Sequence, residues 1–277
     1  MHDLQLPFLE TMITQVCNLA CEGCTNYSDL KHKGYVPWSQ GKDWLQDWLE
    51  KIEIKEFGVM GGEPLINPEW QDWLQGIRFL LPDSRIRFTT NGLLLSDAPD
   101  ILDFCENLGN ITFKITVHLD DQLLESTIKD LLSQRQWTPV TEYGIHRWAG
   151  PNGLRFQVNR PSTFLKTFQN SYNNMSPWNS NPVDAFNACC QQTCPLLHEG
   201  RIYKCSTAGL LKSVLDRFDK PNWDQWQPYI DSGIGPQDSS EKIFQFINNF
   251  SKPNSICGQC PSSKVMKINH LNSVIKK

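Results

Sequence analysis

Apolar and polar residues follow two alternating patterns through the first half of the chain. Short apolar runs bounded by turn residues predict strands at residues 8–14, 54–60, 85–90 and 111–118. Apolar residues that recur every three or four positions predict amphipathic helices at residues 39–52, 70–77, 97–108 and 121–134. Strands alternating with helices in this order predict right-handed β-α-β units around a parallel sheet, either open or curled into a barrel.

The middle of the chain is less regular. Residues 140–148 and 154–159 are predicted strands on either side of the turn Gly150-Pro151-Asn152-Gly153, which indicates a hairpin near the fifth strand. The pattern assigns no sixth strand. Residues 171–182 have the composition of a linker or, alternatively, of an active-site loop. We therefore predict a boundary near residue 180, with one domain over 1–180 and a second over 181–277.

Composition narrows the functional class. The 277 residues include 26 basic and 30 acidic residues, giving a formal charge of −4, which does not indicate a surface for nucleic acid. No apolar run approaches the roughly 20 residues that a membrane-spanning helix needs. The first residues lack the basic patch and apolar stretch of a signal peptide, so the ten cysteines are expected to be reduced and cytoplasmic.

Three cysteines directly follow the first predicted strand, with the spacing C-x3-C-x2-C. They are Cys17, Cys21 and Cys24. Thiolate is a soft ligand that suits iron–sulfur clusters or zinc, and these spacings let one loop wrap a single site. A closed zinc site needs four protein ligands, and the nearest candidate is His32. A bacterial ferredoxin has a different cysteine run. The trio therefore favours a metal cluster with three protein ligands.

Other polar or glycine-rich segments follow the next three strands. Gly61-Gly62-Glu63-Pro64 follows the second strand, Asn91 follows the third and His118 ends the fourth. In parallel α/β folds ligands collect at the carboxyl ends of strands. A glycine pair there lets a ligand approach the backbone. These segments are therefore expected to surround one site with the cysteine trio.

A second group of cysteines lies in the last third of the chain. Its members are Cys189, Cys190, Cys194, Cys205, Cys257 and Cys260. A turn at Glu199-Gly200 predicts a hairpin, in which pairing of His198 with Arg201 would set Cys194 opposite Cys205. The C-x2-C pair follows a predicted helix over 241–250. Four of these thiolates could bind zinc or a [4Fe–4S] cluster. Cys105, in the third predicted helix, is interpreted as a buried apolar side chain.

The first cysteine loop and the GGEP turn resemble those of the radical S-adenosylmethionine (SAM) enzymes. This resemblance implies a partial (β/α)6 TIM-like barrel of the α/β class. It implies a [4Fe–4S] cluster with an open iron at Cys17, Cys21 and Cys24, and SAM as a cofactor. It also implies SAM contacts at Gly61, Gly62, Glu63, Pro64, Asn91, Thr116, His118 and Asn159.

The second cysteine group resembles the small cysteine-rich auxiliary domain called twitch. The spacing C-x9-G-x4-C from Cys190 through Gly200 to Cys205, followed by a C-x2-C pair, carries this resemblance. It implies a second [4Fe–4S] cluster held by Cys205, Cys257 and Cys260. The family spacing favours Cys190 as the remaining ligand, whereas the hairpin favours Cys194. Cys189 is left as a spare.

By resemblance, the chain is an oxidoreductase or modifying enzyme that cleaves SAM to a 5′-deoxyadenosyl radical. The radical would take a hydrogen atom from a small-molecule or peptide substrate, and a reductant such as flavodoxin or ferredoxin would supply the electron. The alternative is an iron–sulfur electron carrier or a zinc-stabilised binding protein without turnover.

Overall fold

The computed structural model describes residues 4–142, 145–161, 163–220, 222–262 and 267–269. No helix within these ranges is both long and apolar enough to cross a bilayer. The strands are β1 (Gln5–Leu6), β2 (Leu9–Met12), β3 (Glu53–Ile54), β4 (Glu56–Met60), β5 (Arg85–Thr90), β6 (Ile111–Thr116), β7 (Thr138–Glu142), β8 (Ile145–Ala149), β9 (Arg155–Asn159), β10 (Thr163–Leu165), β11 (Leu196–His198), β12 (Arg201–Tyr203) and β13 (Lys267–Asn269). The helices are α1 (Trp38–Leu49), α2 (Trp70–Leu80), α3 (Ile101–Leu108), α4 (Gln122–Ser133), α5 (Pro182–Ala188), α6 (Ser206–Arg217), α7 (Trp223–Ile230) and α8 (Ser240–Asn249).

A nine-stranded sheet with the order β12-β11-β2-β4-β5-β6-β9-β8-β7 organises the fold. Its inner six strands, from β11 to β9, are all parallel. The predicted α/β class with a parallel sheet is confirmed. The two end strands of this sheet do not pair with each other, so the described strands form no closed barrel.

The period of two along each strand separates an apolar face from a polar face. Phe57, Ile86, Phe88 and Phe113 belong to one face and join the main hydrophobic core. Strand β5 shows the alternation clearly, since every second residue is buried. Hydrophobic burial on this face holds the helices against the sheet and keeps the carboxyl ends of the strands rigid.

The hairpin near the fifth strand differs in detail from its prediction. Residues 140–148 were expected to form one strand, but they divide between β7 and β8, which pair antiparallel. Gly144 interrupts the apolar run in the sequence and lies outside the described residues. The following strand, β9, covers nearly all of the predicted range 154–159 and pairs parallel with β6. It is the fifth parallel strand.

The sixth parallel strand is β11, which the sequence placed in the auxiliary region. The hairpin of β11 and β12 has the predicted register, with His198 opposite Arg201. However, β11 also pairs parallel with β2, and Glu10 N donates to Pro195 O at 3.0 Å. The hairpin is therefore part of the main sheet, which local pattern alone could not indicate.

Several helix ends also differ from the predictions. Helix α3 begins at Ile101, because residues 95–97 form a separate 3-10 turn. Helix α4 begins after Asp121, whose side chain accepts hydrogen bonds from the N–H groups of Leu123 and Leu124. Such a cap satisfies main-chain donors that have no partner within the helix. Helices α5, α6 and α7 were not predicted, whereas α8 agrees with its prediction within one residue at each end.

Candidate metal and cofactor site

The first cysteine loop leaves the carboxyl end of β2 and folds back on itself. Cys24 N donates to Cys21 O at 3.2 Å, and Gly23 adopts a positive φ of 74°. Cys17 and Cys21 are buried, and Cys24 is partly buried. The loop brings all three thiols to one cavity of about 200 Å³. The three cysteines of the trio therefore line the same cavity.

Burial makes the thiols of Cys21 and Cys24 hard to ionise without a bound metal. It raises the pKa of Cys21 above its ordinary value, and the neighbouring thiols of Cys24 and Cys17 raise it further. Burial likewise raises the pKa of Cys24. A metal centre would supply the positive charge that thiolates need here.

The number and type of the donors fit an iron–sulfur cluster. Among the described residues, no three histidine, cysteine, aspartate or glutamate side chains are close enough together to hold one metal ion. Ligand sulfurs on one zinc lie only about 4 Å apart, since each Zn–S bond is about 2.3 Å. Three thiols around a cavity instead suit a cluster whose several iron atoms each take one sulfur. The donor set therefore fits a [4Fe–4S] cluster with one iron free of protein ligands.

The glycine pair after β4 packs directly against the start of the cysteine loop. Gly62 N donates to Thr14 O, and Glu63 N donates to Val16 O, each at 2.8 Å. A Cβ added to Gly61 would lie 2.7 Å from Thr14 O, and one added to Gly62 would lie 2.3 Å from Val16 O. Both glycines line the cavity. The close contact between this turn and the main chain of the cysteine loop requires glycine at both positions, whether or not a ligand also binds there.

Glu63 is fully buried and ties the glycine turn to the end of β5. Its carboxylate accepts hydrogen bonds from Thr90 Oγ1 and Asn91 N at 2.7 Å each, and from Leu65 N at 3.1 Å. Burial raises the pKa of Glu63 to about 7, against the lowering effect of these hydrogen bonds. Glu63 does not line the cavity, so its carboxylate braces the site from behind.

Asn91 connects β5 to the cysteine loop. Its Nδ2 donates to Asn18 Oδ1 at 2.6 Å and lies 3.8 Å from Cys17 Sγ, while its Oδ1 accepts from Leu93 N at 3.0 Å. An N–H group directed at a ligand sulfur is one of the means by which proteins adjust the potential of an iron–sulfur cluster.

The fourth strand contributes a row of polar side chains. Thr116 and His118 line the cavity as expected, and so does Lys114, which the sequence analysis missed. The period of two along β6 could have revealed Lys114, since it shares a face with Thr116. Pro64 and Asn159 do not line the cavity. Asn159 accepts a hydrogen bond from Gln157 Nε2 at 2.7 Å.

The second cysteine group forms two overlapping sets, because Cys189 also lies within electrostatic reach of its neighbour Cys190. Cys189 follows α5 and Cys205 precedes α6, and each lies within electrostatic reach of Cys257. Cys260 lies within reach of all three of these thiols and of Tyr229 Oη, which is 2.8 Å from its Sγ. Burial raises the pKa of Cys205 to about 12 and that of Cys189 to about 11.

Cys190 and Cys194 face a different environment. Their electrostatic neighbours include Glu10 on β2 and Lys114 on β6. Cys194 reaches this position because the residue after it, Pro195, bonds to the main chain of Glu10. Cys189 was treated as a spare in the sequence analysis, yet the fold brings it, and not Cys190 or Cys194, to the other three cysteines.

Comparison with known proteins agrees with this geometry. Residues 11–139 match the family model of the Radical SAM superfamily. This match covers a little under half of the chain and identifies residues 11–139 as a radical SAM domain. The matched range contains the cysteine trio, the glycine turn, Asn91 and the polar row on β6.

Curated relatives of this chain are similar to it over part of their length. Mycofactocin maturase MftC of Mycobacterium ulcerans is 29% identical over 96 residues, which are 34% of this chain and 25% of that protein. GTP 3′,8-cyclase of Clostridium perfringens is 26% identical over 126 residues, which are 44% of this chain and 38% of that protein. The chain thus matches well under half of the length of either relative.

A solved structure shares the fold of this chain over most of its length. BtrN in complex with AdoMet and 2-DOIA aligns with a TM-score of 0.51 and 15% sequence identity, covering 89% of this chain and 88% of that chain. The likeness extends well beyond residues 11–139 and includes most of the region that holds the second cysteine group.

Proposed function

We propose that the chain is an enzyme that cleaves SAM reductively and uses the 5′-deoxyadenosyl radical to take a hydrogen atom from a small-molecule or peptide substrate. The observation that carries this proposal is the meeting of three thiols, two glycines and Asn91 at one cavity. When bound, a [4Fe–4S] cluster supplies an iron with an open position for SAM and the electron that cleaves it.

The residues around the cavity have distinct tasks in this proposal. Cys17, Cys21 and Cys24 hold the cluster. The main chain at Gly61 and Gly62 contacts the amino group of SAM, as in the relatives that the sequence resembles. Thr116 and Lys114 on β6 offer a hydroxyl and an ammonium group to the remaining polar groups of SAM or substrate, and His118, just after β6, offers an imidazole. Glu63 acts indirectly, by holding the glycine turn against β5.

The test is anaerobic reconstitution with iron and sulfide, followed by SAM and dithionite. We expect 5′-deoxyadenosine from the wild-type chain and from Cys105→Ala, a matched control because Cys105 is buried in the core away from the cavity. Cys17→Ala should release none. An iron-loaded protein that forms no 5′-deoxyadenosine would be an electron carrier, and a protein that binds only zinc would be a zinc-stabilised binding protein. Either result would overturn the proposal.

We further propose that Cys189, Cys205, Cys257 and Cys260 hold a second [4Fe–4S] cluster, which accepts an electron during substrate oxidation. Their mutual proximity supports this ligand set over one that uses Cys190 or Cys194. The structural element around this cluster begins near residue 181 and shares the β11–β12 hairpin with the main sheet.

Iron analysis tests the ligand set. Reconstituted wild-type protein should contain about twice as much iron as Cys189→Ala, because a cubane that loses one of four cysteine ligands is held weakly. Cys194→Ala is the matched control and should keep the wild-type iron content. The opposite ranking of the two variants would restore the assignment based on hairpin register.

A further inference from the structure

Lys204 is a buried cation at the edge of the second cysteine group. It lies between β12 and Cys205, and only 5% of its surface is exposed. Its ammonium donates to the carbonyl oxygens of Phe250 and, at 2.6 Å, of Lys252. The same ammonium lies 5.0 Å from the centre of the Phe186 ring. These contacts hold its position firmly.

Within the described residues, Lys204 forms no ion pair with a carboxylate. Burying a charge without a partner of opposite sign is expensive, so buried cations are normally paired. The two carbonyls and the ring supply only partial negative charge. The acidic groups within electrostatic reach of Lys204 are the thiols of Cys257, Cys205 and Cys189. As thiolate ligands of a cluster, these cysteines would supply the negative charge that the site around Lys204 lacks.

We propose that Lys204 is the counter-ion of a second cluster at these cysteines and raises its reduction potential. This inference rests on the second cluster proposed above. A cluster with four thiolates carries net negative charge, and reduction by one electron adds another negative charge. A fixed cation in a site of low dielectric constant stabilises the reduced form more than the oxidised form. Lys204 would thus favour transfer of an electron from a substrate radical to the cluster.

The experiment is an anaerobic redox titration of the reconstituted enzyme, followed by electron paramagnetic resonance. Lys204→Gln removes the charge but keeps a donor for the carbonyls. We expect the ratio of reduced to oxidised second cluster at a fixed potential to fall about tenfold, which is about 59 mV for one electron. Lys204→Arg keeps the charge and should stay close to wild type. The first cluster serves as an internal reference and should not shift.

Lys252→Met is a matched control for loss of a nearby positive charge. Lys252 is exposed, and its ammonium bonds to Asn249 Oδ1 at 3.0 Å. Water and salt screen an exposed charge, so this variant should leave the potential unchanged. A Lys204→Gln variant that keeps both clusters at wild-type potential would overturn the inference. Equal shifts of the reduction potential in Lys204→Gln and Lys204→Arg would also overturn the inference, and so would loss of the second cluster in both variants. Either result would mean that Lys204 contributes only to local folding.

The failure of the underlying proposal has a different signature. If wild-type protein contains about four iron atoms per chain and shows one cluster signal, the second cluster is absent and its ligand set is refuted. If two clusters are present and only the predicted shift is missing, the second cluster stands and the role of Lys204 is refuted.

Discussion

Replacing Glu63 by glutamine should change how the stability of the protein depends on pH. The wild-type carboxyl group is fully buried, with a pKa raised from 4.5 to about 7 by burial. A group whose pKa is higher in the folded state stabilises the fold while it is protonated. That stabilisation is complete below about pH 4.5 and is lost as pH rises through 7. Glutamine cannot ionise, so the variant lacks this loss.

The magnitude follows from the two pKa values. For 4.5 unfolded and about 7 folded, the wild type loses about 2.5 kcal/mol of stability between pH 5 and 8 through this group. Glutamine also replaces one carboxyl oxygen, which accepts a hydrogen bond in the wild type, with an NH2 group. Two donors then face each other, which lowers the stability of the fold by about 1–3 kcal/mol at every pH. Glu63→Gln should therefore be about 1–3 kcal/mol less stable than wild type at pH 5, and at pH 8 it should lie between about 0.5 kcal/mol less stable and about 1.5 kcal/mol more stable.

Anaerobic urea unfolding at several pH values measures this difference. Comparing each variant with wild type at the same pH cancels contributions from other groups, including Glu10, whose pKa burial also raises to about 7. Glu125→Gln is the matched control, since Glu125 forms a surface ion pair with Arg160 at 2.6 Å. Such pairs contribute at most about 1 kcal/mol. A difference between Glu63→Gln and wild type that stays constant from pH 5 to 8 would refute the reasoning.

Two further substitutions test the local geometry. Gly62→Ala should destabilise the fold by about 1–3 kcal/mol and reduce cluster loading, because its Cβ would lie 2.3 Å from Val16 O. Urea unfolding measures the stability and iron analysis measures the loading. Gly235→Ala is the control and should change neither, because its Cβ would lie 3.4 Å from the end of the Arg201 side chain. Asp121→Ala should lower the stability of the fold by about 1 kcal/mol through loss of the α4 cap. Asp121→Asn should keep most of the wild-type stability, because asparagine also caps helices. Equal losses of stability in the two variants, measured by thermal unfolding, would contradict the capping argument.

Local sequence was sufficient for the first half of the fold. The periods of two and of 3.6 residues predicted β5 in full and α4 within one residue at each end, because adjacent residues decide which face of an element is apolar. The cysteine trio and the glycine turn were also evident, since each lies in one short segment that follows a strand. Parallel topology then brings such segments to the same edge of the sheet.

The sequence alone therefore determined the class of fold, the position of the first cysteine trio directly after a strand and the presence of a second cysteine group. Only the tertiary structure decided that β11 pairs with β2, that Cys189 joins Cys205, Cys257 and Cys260, and that Lys204 has no carboxylate partner among the described residues. The reason is physical. Strand pairing, burial and the choice of counter-ion depend on residues that are far apart along the chain, and spacing within one segment carries no information about them.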